Sequence, residues 1–308
     1  MVTQAGIARA HQRISPYLRL TPTLTVEAGL FCKNAVSMKL ELFQHTGSFK
    51  ARGAFNALLS NSPGAAGVVA FSGGNHGAAV AYAASTLGVR STIFVPDFAG
   101  PVKIDRMRHF GAQVIVIDDE FSVIHASFME YAAQTGALAV HPFDDEFVVC
   151  GQGSTGLEIG RQLPDIDSLL VSVGGGGLIG GITAWFEDRV KIVAVETTGT
   201  ASLENAFSNT PEVEIVPSGI AANALGGTRL GEIPRKILAR WRPQSVTVSD
   251  ADVIKAQNIL WSGARIIAEP GASTALAALT SGAYEPRKGE NVGVLLCGGN
   301  ALPGWFVG

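Results

Sequence analysis

Six apolar runs of strand length, alternating with stretches of helical character, constrain this chain more than any other feature. They lie at Val68–Phe71, Ser91–Val95, Gln113–Ile117, Ser168–Val173, Ile192–Val195 and Val292–Leu296. Helix-like segments stand between and around them, among them Gly77–Leu87, Val123–Gln134, Gly153–Gln162 and Ala272–Thr280. A strand that is apolar throughout, rather than at every second residue, is buried on both faces, as in a parallel sheet covered by helices. The expected fold is α/β, with two doubly wound, mostly parallel open sheets and helices on both faces. Turn-rich spots at Asn61–Gly67 and His141–Glu146 suggest a small α/β unit, 67–144, inserted into a larger one formed by 1–66 plus 145–308. The cleft between two such units is a favoured place for a cofactor.

Composition narrows the function. The 308 residues are 47% hydrophobic and 16% charged, enough for a large core, and the 37 glycines point to tight turns and close backbone approach to a ligand. A net charge of −3 argues against a nucleic-acid partner, which needs a basic face. No apolar stretch has the length of a membrane span, and the N-terminus lacks the apolar core of a signal peptide. Cys32, Cys150 and Cys297 are far apart and form no C-x-x-C pair, which fits a reducing compartment without structural zinc. A cytoplasmic location is expected.

Four segments carry candidate chemistry. The first runs from Glu41 to Gly53. Thr46 or Ser48 is placed to cap a helix through Asn61, with Lys50 in its first turn. An ammonium at the positive end of a helix, among small and aromatic neighbours, loses part of its proton affinity, as a Schiff-base lysine requires. The alternative is a plain surface lysine. The second is Ser72-Gly73-Gly74-Asn75-His76-Gly77, directly after a strand, where successive backbone N–H groups offer an anion site suited to a carboxylate. An ordinary turn into a helix would look the same. The third is Gly174–Gly180 after the run Ser168–Val173, where four glycines let several amides converge on one phosphate. Gly175-x-Gly177-x-x-Gly180 also fits a dinucleotide fingerprint with Glu196 about 20 residues on, so an NAD(P)-dependent oxidoreductase is a rival. The fourth is Leu296-Cys297-Gly298-Gly299-Asn300, whose thiol is either a weak, neutral hydrogen-bond group at a site or simply buried.

Together these segments resemble the serine/threonine dehydratase branch of the fold type II pyridoxal-phosphate enzymes. The resemblance rests on Gly47–Lys50, Ser72–Gly77, His141–Asp144, Gly151–Gly153, Gly174–Leu178, Glu269–Gly271 and Cys297–Asn300, in the family's order and over nearly the whole chain. It implies pyridoxal 5′-phosphate as cofactor, held covalently by Lys50, which is also the base. It implies further that Phe49 packs on the ring, Asn75 bonds the ring oxygen, and Gly174, Gly175, Gly176, Gly177 and Leu178 cradle the phosphate. Cys297 would face the ring nitrogen. Ser72, Gly73, Asn75 and His76 would line the carboxylate pocket, mostly through backbone amides, and Ser48 and Glu269 are further candidates. The implied reaction strips water and then ammonia from a small β-hydroxy amino acid such as threonine, serine, 3-hydroxyaspartate or phenylserine. A homodimer is expected from the resemblance alone.

Departures refine that expectation. Serine racemases of the family carry a serine at the position of Gly73 as the acid on the second face of Cα, and tend to carry asparagine at Phe143. Both changes favour elimination over racemisation. A cation site in some relatives pairs a glutamate with an aspartate six residues later, whereas here Glu196 is followed by Ser202, so no tight metal site is expected. Biosynthetic threonine dehydratases carry an added C-terminal regulatory domain. This chain ends at Gly308, so a catabolic setting without feedback control by isoleucine is expected.

Overall fold

The computed structural model describes residues 2–301 apart from 120, 209 and 211–213. The chain begins with α1 (Gln4–Ile14), β1 (Thr23–Val26), β2 (Val36–Leu40) and α2 (Lys50–Asn61). Next come β3 (Val68–Phe71), α3 (Asn75–Thr86), β4 (Ser91–Pro96), α4 (Pro101–His109), β5 (Gln113–Ile117), α5 (Phe121–Thr135) and β6 (Leu138–Ala139). There follow α6 (Glu146–Gln162), β7 (Ser168–Ser172), α7 (Gly177–Phe186), β8 (Lys191–Thr197) and the short helices α8 (Ser202–Ala206) and α9 (Ala222–Leu225). The described part closes with α10 (Glu232–Trp241), β9 (Gln244–Val248), α11 (Asp250–Ala264), α12 (Pro270–Ser281) and β10 (Val292–Leu296). All six apolar runs form strands, with ends within two residues of those read from the sequence.

Two sheets result. The larger has the order β1-β2-β10-β7-β8-β9 and the smaller the order β5-β4-β3-β6. Every pairing is parallel except that of the edge strand β1 with β2. Strand β10 lies between β2 and β7, so the end of the chain completes a sheet begun near its start. The strand interiors are apolar because helices cover them. Val36, Met38, Leu170, Val193 and Leu295 are fully buried in one core, and Ala70, Ile93 and Val95 in another. Among the described residues no helix is long and apolar enough to cross a membrane.

The candidate loops follow β2, β3, β7 and β10, all at carboxyl ends of strands, where ligands bind in open α/β sheets. The fold thus gathers four distant segments around one cleft.

Candidate active site

Lys50 is the first residue of α2. Neither Thr46 nor Ser48 caps that helix, contrary to the sequence expectation: its N-cap is Phe49, without a side-chain bond. The reason is that this segment is stitched to the other end of the chain. Ser48 forms a β-bridge with Gly298, Phe49 N donates to Cys297 O at 3.0 Å, and Gly299 N donates to Gly47 O at 2.9 Å. Ser48 is extended rather than turned into the helix, and among the described residues its buried hydroxyl has no partner, nor has that of Thr46. This stitching brings Lys50 and Cys297 together.

The Lys50 amine donates to the carbonyl of Pro142 at 2.8 Å and lies 5.1 Å from the centre of the Phe49 ring. Burial lowers its pKa to about 8, only partly offset by Cys297 and Glu269. Desolvation is therefore the main cause, as in other lysines held ready as bases or covalent anchors. Burial pushes the Cys297 thiol well above its usual value, so the group is neutral.

The Gly174–Gly177 turn links β7 to α7, and Gly176 adopts φ 88°, open to glycine at little cost. A Cβ at Gly175 would lie 2.3 Å from the Phe143 ring, and one at Gly174 would lie 3.0 Å from Leu225 Cα. The wall admits no side chain and presents backbone only. Facing it are Phe49, Lys50, Asn75, Leu178, Glu269 and Cys297, around a slot of about 50 Å³. The slot adjoins a cleft of about 500 Å³, with Lys50, Asn75, Phe143 and Gly175 common to both. Ser72, Gly73 and His76 line the larger space. The expected site residues thus converge, except that Ser48 lies outside both linings. A bare glycine cradle, a lysine of lowered pKa and a neutral thiol fit a phosphorylated aldehyde.

The loop after β3 is shaped by close packing. Ser72 Oγ accepts from Gly74 N at 3.1 Å, and α3 begins at Asn75. A Cβ at Gly73 would come within 2.7 Å of Ala99 Cβ, so the position is closed to a larger residue unless the Ala99 segment shifts. His76 turns its ring inward, with Nε2 donating to Val140 O at 2.9 Å, and burial lowers its pKa to about 3. Its ring is neutral and structural, leaving its backbone for the cleft.

Glu269 precedes α12 and accepts from Asn75 Nδ2 at 2.7 Å. A Cβ at Gly298 would lie 2.0 Å from its Oε1, which explains the glycine there. Burial raises Glu269 to about 7, against the Asn75 amide and Lys103, which lower it. A carboxyl raised in the folded state stabilises fully below its unfolded pKa, and that contribution is lost as pH rises through the folded value. Glu269→Gln is expected to flatten the fall in apoprotein stability between pH 4.5 and about 7, by at most about 1.4 kcal/mol per pH unit. Glu196, also raised to about 7, keeps a residual slope. Urea unfolding at several pH values checks this, and an unaltered slope counts against it.

Glu196 itself is wholly buried in β8 and accepts from Leu203 N at 2.7 Å and Glu204 N at 2.9 Å. It is turned into the protein and does not face a ribose, which removes the acidic partner from the dinucleotide reading. Gly180 packs within 3.2 Å of Pro234 when a Cβ is placed on it, so that glycine serves helix packing. Sequence reasoning missed the Pro142 carbonyl and Arg106, which reach the site only through tertiary structure.

A family profile described as pyridoxal-phosphate dependent enzyme matches residues 14–298. The chain belongs to that family. Pyridoxal phosphate is accordingly its cofactor. L-threonine ammonia-lyase of Thermotoga maritima is 33% identical over 270 residues, or 86% of this chain and 67% of the relative. Serine racemase of Arabidopsis thaliana is 31% identical over 96% of this chain and 92% of its own length. A solved bacterial-type neighbour, the T.th. threonine deaminase, superposes with a TM-score of 0.90 at 31% identity, covering 97% of this chain and 99% of that one. These relatives put this pyridoxal-phosphate enzyme in the serine/threonine dehydratase branch of fold type II.

Proposed function

We propose that the protein is a dehydratase, an ammonia-lyase that converts a small β-hydroxy amino acid to a 2-oxo acid and ammonia. Threonine, serine or a 3-hydroxy relative such as 3-hydroxyaspartate is the substrate class. The reading rests on one observation: a single lysine of lowered pKa faces the cleft, while the position across it is a glycine with no room for a proton donor.

The cofactor, when bound, supplies an electron-withdrawing ring that stabilises negative charge on the carbon beside the amino group. Lys50 Nζ anchors the cofactor covalently and, once displaced by the substrate amine, is the base that takes the Cα proton. With a pKa of about 8, a useful fraction of that amine is unprotonated near neutral pH. The backbone of Ser72–His76, at the start of α3, receives the substrate carboxylate. Asn75 donates to the ring oxygen, the amides of Gly174–Gly177 hold the phosphate, and Phe49 packs on the ring. Cys297, a neutral thiol, meets the ring nitrogen without holding a proton there, which favours loss of the β-hydroxyl over prolonged carbanion chemistry. Gly73 gives no proton to the opposite face, so racemisation ranks below elimination even though a serine racemase is among the relatives.

The purified protein should carry a visible band that borohydride bleaches, and a panel of hydroxy amino acids should release 2-oxo acid from at least one. A coloured protein that only interconverts serine enantiomers refutes the dehydratase reading. Cys297→Ser is expected to retain turnover within about threefold, because both groups are neutral at the ring nitrogen. Loss of cofactor binding in that variant would show that another residue holds this place. We further propose that residues 67–144, which carry the smaller sheet, form the inserted unit of a cytoplasmic homodimer.

A further inference from the structure

Asn75 is one link in a chain of hydrogen-bonded side chains that crosses the cleft. Arg106 Nη1, from α4, donates to Asn300 Oδ1 at 2.5 Å. Asn300 Nδ2 donates to Thr46 O at 2.8 Å and to Asn75 Oδ1 at 2.7 Å. Asn75 Nδ2 in turn donates to Glu269 Oε1 at 2.7 Å. An asparagine amide has one accepting and one donating end of nearly the same shape, so its neighbours decide which way round it sits. A guanidinium only donates. It therefore draws the Asn300 oxygen toward itself and turns the Asn300 nitrogen toward Thr46 and Asn75. Asn75 is left with its oxygen toward Asn300 and its nitrogen toward Glu269 and the slot. One Asn75 N–H meets Glu269, and the second remains for a ligand acceptor.

We propose that Arg106 is a positioning residue for the cofactor site: acting through Asn300, it fixes the amide orientation in which Asn75 offers an N–H to the ring oxygen. The inference rests on the assignment of Asn75 to that oxygen made above. The Thr46 carbonyl favours the same orientation, so Arg106 strengthens a bias and does not create it alone. Arg106 is half-buried beside the smaller sheet, whereas Asn300 follows β10 of the larger one. The same bond therefore ties α4 to the cofactor loop.

The test uses the holoenzyme and two readouts besides turnover, the position of the visible cofactor band and the dissociation constant for pyridoxal phosphate. Arg106→Gln replaces a pure donor by a group that also accepts, which lets Asn300 turn over. It is expected to weaken cofactor binding by about tenfold, the scale of one hydrogen bond, and to shift the band. Arg106→Lys, still a pure donor, should recover most of both. Arg108→Gln, on an exposed residue of α4 paired with Asp105 at 3.2 Å, should alter neither. A lowered melting temperature in Arg106→Gln with band and affinity unchanged would mean a merely structural role and overturns the proposal. Asn75→Ala separates the two layers. If it alone changes band and affinity, only the role of Arg106 fails; if it too changes nothing, the assignment of Asn75 to the ring fails first.

Discussion

Lys50→Ala is expected to lower turnover roughly 10⁴-fold or more while leaving the fold intact. Two functions vanish with one amine, the covalent hold on the cofactor and the removal of the Cα proton. The structural loss is small by comparison. The Nζ atom makes one hydrogen bond, to the Pro142 carbonyl, and alanine is well tolerated in the first turn of a helix. Circular dichroism of the variant should match the parent, and no borohydride-reduced adduct should form at this position. Residual turnover within tenfold of the parent would sink the mechanism.

The second large effect concerns stability. Arg52, one half-turn past Lys50, is fully buried between two carboxylates. It grips Glu41 through Nε and Nη2, both at 2.7 Å, and Glu158 through Nη1 and Nη2, both at 2.8 Å. Lys39 adds a bond to Glu158 at 2.7 Å, so two buried cations balance two buried anions. Taking one partner out of such a set strands charge in a dry interior. Arg52→Met is expected to cost roughly 3–5 kcal/mol of apoprotein stability. Arg52→Lys should recover only part, because an ammonium cannot span both carboxylates as the planar fork does. Urea unfolding decides the matter, and a loss below about 1 kcal/mol would mean that the network relaxes or takes up water. Glu41 ends the β2 connection and Arg52 lies in α2, so the network also braces the turn that carries Lys50.

The central strands were legible in the sequence because they are apolar without interruption. The strands that escaped notice have physical excuses. Strands β1 and β9 are edges with exposed residues, and β2 interrupts its apolar run with Ser37 and Lys39, the latter buried only because Glu158 neutralises it. At the site, contiguous motifs announced the lysine, the glycine cradle and the carboxylate loop. What stayed hidden depends on distant pairing. The expected cap at Thr46 or Ser48 fails because Ser48 is drawn into a bridge with Gly298, some 250 residues away. The carbonyl of Pro142 leaves no side-chain signal at all. Arg106 looked like any cation on an amphipathic helix until Asn300 was seen against it.

The bridge between Ser48 and Gly298 bears on the order of events during synthesis. A nascent chain has made its reactive amine long before β10 leaves the ribosome, yet until β10 slots in beside β2 nothing holds Phe49 or sets the thiol opposite. Pairings of such wide separation form late in folding, since their closure entropy comes first and their contacts afterwards. The aldehyde can thus be gripped productively only after nearly all of the polypeptide has emerged, and a truncated product lacking its last strand is left without a working vitamin site.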